Sequence, residues 1–392
     1  MTFRSPFRHF DPHFCSGLFE DPLLLLATSN PCGNILVDCG QLTHLTKRLL
    51  KSIRTVLVSH AHMDHFIGFD AFARAILVTN KTINLIGPPG IAEKSEMRMQ
   101  AYNWNLTEAY YCNFNIVEVS DDTLRTFYLD GQRGFTLFFK DEQQRDDRIV
   151  YEDPYLFIEA DICDHKIPVL LFKITEKPGF QIDENKLAAA GIQRGPWINA
   201  LKEWFQGLKS QKTLQKELLQ HGQNNPFFLQ DPLALYDSIK QLTPQSSVGY
   251  ITDIGFTNAN IKTVERLMQD VTFLVCECTY LRENRQKARE SYHLCTDDLN
   301  QIIDQLKPSY CMPMHLSKTY LPEPEALYRE LPGRPSCSII QLPDRMTQPP
   351  FRPGPIDFKD PASLRRYNLE KEALSHLENA HTRIVQVGKT SV

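Results

Sequence analysis

Two periods of apolar residues run along the chain. Short apolar runs recur at Asn34–Asp38 (NILVD), Arg54–Val58 (RTVLV), Thr82–Ile86 and Val169–Ile174, and each reads as a buried strand. Between them, Gln41–Lys51 places Leu42, Leu45, Leu49 and Leu50 at helical spacing, and Phe66–Leu77 and Ile91–Asn103 also read as helices. From Ile116 to about Ile162 the runs shorten and alternate, as in Phe135–Phe139 and Tyr155–Glu159, which suits antiparallel strands with charged turns. Strands resume at Ser247–Thr252, Val271–Cys276 and Ser309–Met312. Two α/β halves, roughly residues 20–120 and 240–341, predict an α/β chain layered as a four-layer αββα sandwich.

Residues 177–245 break this rhythm. After Pro178–Gly179 come the helix-like stretches Glu184–Ala190, Ile198–Leu208 and Leu214–Gln220, read as a helical arm inserted into a domain spanning 1–342. Prolines at 343, 349, 350, 353, 355 and 361 mark a linker over 343–361, and a polar tail follows over 362–392.

Composition narrows the function. Of 392 residues, 42% are hydrophobic, enough for a large core. There are 43 basic and 47 acidic residues, so the net charge of −4 excludes a globally basic nucleic-acid binder but not a local basic face. No apolar run approaches the roughly 18 residues of a membrane span. The N-terminus MTFRSPFRHFDPHF has no apolar signal core, and the ten cysteines form no CxxC pair. A cytoplasmic protein with reduced, buried thiols is expected.

The sharpest chemistry is Ser59-His60-Ala61-His62-Met63-Asp64-His65, directly after the strand Arg54–Val58. His60 and His62, two apart in an extended turn, can point to one side, and Asp64 and His65 can reach a second position nearby. Imidazole and carboxylate ligands suit zinc, with manganese and iron also possible. The competing reading is a surface histidine cluster without metal. Three further candidates sit at strand ends: His165 in DHKIP, Asp253 in YITDIG and His315 in MPMHLS. Taken singly, Asp253 reads as a turn residue and either histidine as a packed core residue. Their shared position joins them to the cluster.

These residues resemble the metallo-β-lactamase fold, and within it the ribonuclease Z family of tRNA 3′-processing endonucleases. The resemblance spans roughly residues 34–341. It is carried by Ser59–Gly68, Ile83–Gly90 (INLIGPPG), Asp164–Ile174, Val275–Leu281 (VCECTYL) and Met314–Tyr320 (MHLSKTY), with a looser match around the arm at Glu176–Gly207. It implies two zinc ions, one held by His60, His62, His165 and Asp253, the other by Asp64, His65, Asp253 and His315, with Asp253 bridging. It also implies a metal-bridging hydroxide as nucleophile and His293, paired with Glu277, as the acid that protonates the leaving 3′ oxygen. Asp64, His293 and Glu277 are thus the candidate catalytic residues. Read without the resemblance, Glu277 is a solvated strand end and His293 precedes a helix at Leu294–Leu306. The family further suggests a homodimer acting on tRNA precursors.

The match departs at three places. No Gly-rich strand and turn is visible in Met1–Glu20, Asp38-Cys39-Gly40 is followed by Gln41-Leu42, and Leu294-Cys295 follows the candidate acid histidine. Residues 181–222 carry six Lys/Arg against four acids, a thin surplus for gripping RNA. Trp197 and Trp204 share a helix face, which suits a core or a dimer interface better than base stacking. Two other functions therefore stay open: a metallo-β-lactamase-fold hydrolase acting on another, small phosphodiester, and a non-catalytic RNA-binding homologue.

Overall fold

The computed structural model describes residues 5–347 except 106–107, 206–208, 222–225 and 242–244. Of the Pro-rich linker only residues 343–347 fall within this range, and the tail over 362–392 lies outside the described residues.

The chain forms two compact units. The first runs to Tyr151, includes Ile158–Ile174 and resumes at Ser247; the second comprises Glu152–Phe157 and Thr175–Ser246. The first unit holds two sheets. One has eight strands in sequential order: β1 (Phe10–Phe14), β2 (Leu24–Thr28), β3 (Asn34–Val37), β4 (Ile53–Leu57), β5 (Thr82–Gly87), β6 (Asn113–Val119), β7 (Thr123–Asp130) and β8 (Thr136–Gln144). Its central strands β3 to β6 run parallel and its flanking pairs antiparallel. The other sheet contains β9 (Ile149–Glu152), β10 (Leu156–Asp164), β11 (Pro168–Glu176), β12 (Ser247–Ile251), β13 (Phe273–Glu277), β14 (Tyr310–Met314) and β15 (Ser338–Ile339), in the order β15-β14-β13-β12-β11-β10-β9.

Strand alternation sets the layers. Leu36, Val56, Leu85, Ile116 and Phe127 stand in register across β3 to β7. They share a core with Phe69, Phe72 and Ile76 of the helix Phe69–Ile76 and with Ile91, Ala92 and Met99 of the helix Ile91–Gln100. The next row, Val37, Leu57 and Ile86, points to the opposite face and is just as buried, so that face meets the second sheet. In the second sheet every residue of β12 and β13 is buried. The helices Asn258–Leu267 and Thr296–Leu306 cover its outer side with Ile261, Val264 and Leu267 and with Leu299, Ile302 and Ile303. This is a four-layer αββα sandwich.

Three local expectations change. The helix expected over Gln41–Lys51 starts only at Lys47, where the Thr46 side chain caps it by accepting from Leu49 N. The helix expected over Phe66–Leu77 is divided into Met63–Phe66 and Phe69–Ile76 around Gly68. A β carbon on Gly68 would fall 2.0 Å from the Gly40 carbonyl oxygen, so two backbones touch there with no side chain between them. The N-terminus, where no strand was legible, supplies β1. Its Pro12 is tolerated because β1 is the sheet's edge.

The second unit packs the helices Glu184–Ala189, Trp197–Phe205, Gln211–His221 and Pro232–Ile239 around Leu187, Trp197, Leu201, Leu214 and Leu235. Asp183 and Asp231 cap two of them, and Ile182 bridges to Lys240 where the chain enters and leaves. Trp197 is a core residue and Trp204 packs partly buried against the same cluster. Among the described residues no helix is long and apolar enough to cross a membrane. All ten cysteines are free.

Candidate metal centre

The ligand candidates lie at the carboxyl ends of strands, where the backbone leaves the sheet and side chains can turn inward. His60, His62, Asp64 and His65 follow β4, the last two on the one-turn helix Met63–Phe66. His165 sits in the turn between β10 and β11, Asp253 just past β12, Glu277 at the last position of β13 and His315 just past β14. Several of these turns use left-handed backbone: Asp38 (φ 57°), Lys166 (φ 62°), Tyr292 (φ 58°) and His315 (φ 63°). Such conformations cost about 1 kcal/mol or more each and are held by their surroundings.

The fold brings all nine candidates together. His60, His62, His165 and Asp253 each offer a ligand atom within 4.8 Å of the others, and Asp64, His65, Asp253 and His315 do the same. A third, overlapping group is Asp253, Glu277, His293 and His315. Asp253 is the hub. Its Oδ2 faces Nε2 of His65 (3.4 Å), His165 (3.8 Å) and His60 (3.9 Å), while its Oδ1 faces Nδ1 of His315 (3.3 Å) and of His293 (3.8 Å). Asp64 Oδ2 accepts from His315 Nε2 at 3.0 Å.

Charge is unevenly distributed. Burial, reinforced by the charge of His65, pushes His60 down to about 2, and burial with His165 lowers His62, so both rings are neutral. For His65, burial works downward, but Asp38 and Asp253 prevail and raise it well above the usual imidazole range. For His315, burial is outweighed by Asp253 and by the Asp64 hydrogen bond. Burial opposes ionisation of Asp253, yet His315 and His65 hold it well below the usual carboxylate range. Neutral His60 and His62 thus stand beside an ionised Asp253 and the His65 and His315 rings whose protonated form it favours.

The donor set fits metal ions. His65 Nε2 and Asp253 Oδ1 are buried with no hydrogen-bond partner among the described residues. Buried polar atoms left so cost free energy unless a cation or water meets them. His60 Nε2 and His62 Nδ1 converge to 3.0 Å, as ring nitrogens facing a common ligand would. Five imidazoles and two carboxylates are a donor set that suits borderline divalent cations.

Several supporting residues were not singled out from the sequence. Asp38, fully buried, accepts from Ser59 N (2.7 Å), Ser59 Oγ (2.9 Å), Tyr250 Oη (2.7 Å) and His65 Nδ1 (2.7 Å). The Tyr292 carbonyl accepts from His165 Nδ1 at 2.6 Å. Both contacts fix a ring so that its Nε2 points at Asp253. Thr279 Oγ1 donates to Glu277 Oε2 (2.7 Å) and lies 3.2 Å from His293 Nδ1. Glu277 is wholly buried rather than a solvated strand end; it accepts from Ile254 N (2.9 Å) and faces His293 Nδ1 at 3.1 Å. Burial would lower His293, but the charge and hydrogen bond of Glu277 raise it to about 9. His293 itself precedes the helix Thr296–Leu306, not one beginning at Leu294.

Comparison with known proteins agrees with this architecture. Residues 33–148 match the beta-lactamase superfamily domain. Ribonuclease Z of Deinococcus radiodurans is 26% identical over 300 residues, 76% of this chain and 85% of that protein. Ribonuclease Z of Nanoarchaeum equitans is 22% identical over 335 residues, 83% of this chain and 86% of that protein. Among solved structures, a long form RNase Z from yeast superposes with a TM-score of 0.50 at 13% identity, covering 93% of this chain and 44% of the yeast one. With a ribonuclease Z-like sequence, a metallo-β-lactamase-fold sandwich and a convergent His/Asp centre, the chain is a metal-dependent hydrolase similar to ribonuclease Z.

Proposed function

We propose that the chain is a dinuclear zinc endoribonuclease that hydrolyses a phosphodiester near the 3′ end of tRNA precursors, in the cytoplasm and as a homodimer. The observation that carries this reading is the placement of Asp253, whose two carboxylate oxygens face different histidines of one buried cluster. His60, His62, His165 and Asp253 would hold one ion, and Asp64, His65, Asp253 and His315 the other. When bound, such a pair acidifies a water as nucleophile and neutralises charge on the scissile phosphate.

The chain's own residues do the rest. His293 donates a proton to the leaving 3′ oxygen, so that the tRNA body ends in a 3′-hydroxyl. Glu277 keeps that ring protonated, and its remaining oxygen stays on Ile254 N, which fixes the carboxylate in place. Asp38 and the Tyr292 carbonyl hold His65 and His165 in the tautomer that leaves Nε2 toward Asp253. Residues 1–342 act as the hydrolase domain, with 177–245 as the substrate-gripping arm.

The small-phosphodiester reading draws on the arm's charges. Lys209 is paired with Glu203 and Glu217, and Arg194 with Glu184, which leaves Lys186, Lys202, Lys212 and Lys216 exposed without ion pairs among the described residues. Incubating metal-defined protein with a tRNA precursor and mapping product ends decides between the two. Cleavage at one position after the acceptor stem, leaving a 3′-hydroxyl, supports the proposal. Hydrolysis of bis(p-nitrophenyl) phosphate with no cut in the precursor refutes it.

A further inference from the structure

The end of the first sheet remote from the His/Asp cluster gathers five cations, and Asp130, at the same end of β7, is engaged by Arg133 and Gln132 N. The helix Lys47–Ser52 exposes Lys47, Arg48 and Lys51, Arg54 follows at the start of β4, and Lys81 immediately precedes β5. None of the five has an ion pair among the described residues. Segments 28–34, 41–54 and 77–82, which build this edge, contain no Asp or Glu. The loop before β6, whose Tyr110 carbonyl accepts from Asn80, adds Glu108 as the one acid of residues 101–112.

Two of these cations are held in place. Lys81 Nζ donates to the Lys51 carbonyl at 2.5 Å. The stem of Arg54 lies across Gly33, where a β carbon would come within 2.3 Å of Arg54 Cγ and where φ is +81°. Partial burial, then the charges of Arg54 and Lys51, lower the Lys81 ammonium, as mutual repulsion requires. A chain of net charge −4 that concentrates like charges on one edge gains free energy when an anion arrives there. The seven residues from Ile53 to Ser59, at about 3.3 Å each, separate this edge from the ligand cluster by about 20 Å.

We propose that this surface binds the phosphodiester backbone of the RNA substrate at a stretch remote from the scissile bond. The proposal rests on the endoribonuclease reading above. The cations lie on a helix and two strand starts at one end of the sheet; the helix exposes no large apolar side chain, and against the five cations the neighbouring segments expose only Val78, Tyr102 and Tyr110 among the described residues. Contacts of this kind carry affinity and position without reading sequence.

The test compares the parent chain with Lys51→Gln/Arg54→Gln/Lys81→Gln and with the charge-preserving Lys51→Arg/Arg54→Lys/Lys81→Arg. Retention of a tRNA precursor is measured over a salt series, beside hydrolysis of bis(p-nitrophenyl) phosphate. The glutamine variant is expected to hydrolyse the small ester like the parent and to bind the precursor about tenfold more weakly, with a salt slope shallower by about 2. The charge-preserving variant is expected to bind like the parent. An unchanged affinity and slope in the glutamine variant overturn the proposal, as does equal loss in both variants. Normal RNA binding combined with lost retention on phosphatidylserine vesicles overturns it in favour of a membrane contact. A parent that binds no RNA removes this proposal and the endoribonuclease reading together, whereas a parent that binds and cleaves beside an unaffected variant removes this one alone.

Discussion

Asp38 Oδ2 lies 2.7 Å from His65 Nδ1, with both side chains shut off from solvent. The carboxylate can only accept, so His65 Nδ1 carries hydrogen toward it and Nε2 is the nitrogen turned to Asp253. Asp38→Asn replaces that acceptor by a group that also donates, among four donors already aimed at it. The expected outcome is a loss of metal affinity of about 10- to 100-fold, with a lowered melting temperature. Zinc content after dialysis against graded chelator measures it; retention equal to the parent's would remove the orienting role.

His62 is the most exposed of the proposed histidine ligands, so its removal disturbs packing least. His62→Ala is expected to abolish hydrolysis of bis(p-nitrophenyl) phosphate while the far-ultraviolet circular dichroism stays that of the parent. Full activity in this variant would discard the metal reading.

For His293, the protonated ring is the active form. Glu277 raises it to about 9 against the effect of burial. Turnover should therefore hold at lower pH and fall as pH rises through the raised value, because the donor is lost above it. Glu277→Gln removes the charge that raises the ring, so the basic limb of the kcat profile should move to lower pH. His293→Ala should slow turnover with metal content intact. A limb that stays in place in Glu277→Gln, or metal lost from His293→Ala, would reassign the pair as ligands.

The second unit has a core of its own, with Trp197 at its centre. Deleting only residues 181–222 would expose Phe228, Leu235 and Ile239, so a clean excision runs from 181 to 240, where Ile182 and Lys240 meet. With a short linker in its place, cleavage of a tRNA precursor should fall far more than hydrolysis of the small ester. Equal losses would deny the arm a role in RNA recognition. Trp197→Ala should destabilise this unit by about 3–5 kcal/mol, read as an early melting transition.

Much of the site was legible because HxHxDH is contiguous and follows an unmistakable buried strand. The remaining ligand candidates were legible only as strand-end polar residues. The supports were not. Asp38 finds its partners 21, 27 and 212 positions away, and no local pattern distinguishes it from an ordinary turn aspartate. The burial of Glu277 was hidden for the same reason, since the groups enclosing it, Ile254 and His293, are distant in sequence. In the fold, β1 escaped notice because FDPHF has charged and proline positions that only an edge strand tolerates. The helix within Gln41–Lys51 is shorter than its apolar period because buried Leu42 continues that period through a segment that is not helical.

The left-handed backbone at Lys166 and Tyr292, beside His165 and His293, sets stability against activity. Glycine at exposed Lys166 would relax the chain and is expected to make the fold about as stable or slightly more so, yet the freed loop would let the neighbouring imidazole wander, whereas at 292 the ring packed against Gly255 would be lost as well. Screens that select for thermal tolerance alone should therefore enrich glycine at 166 and return well-folded proteins with impaired turnover.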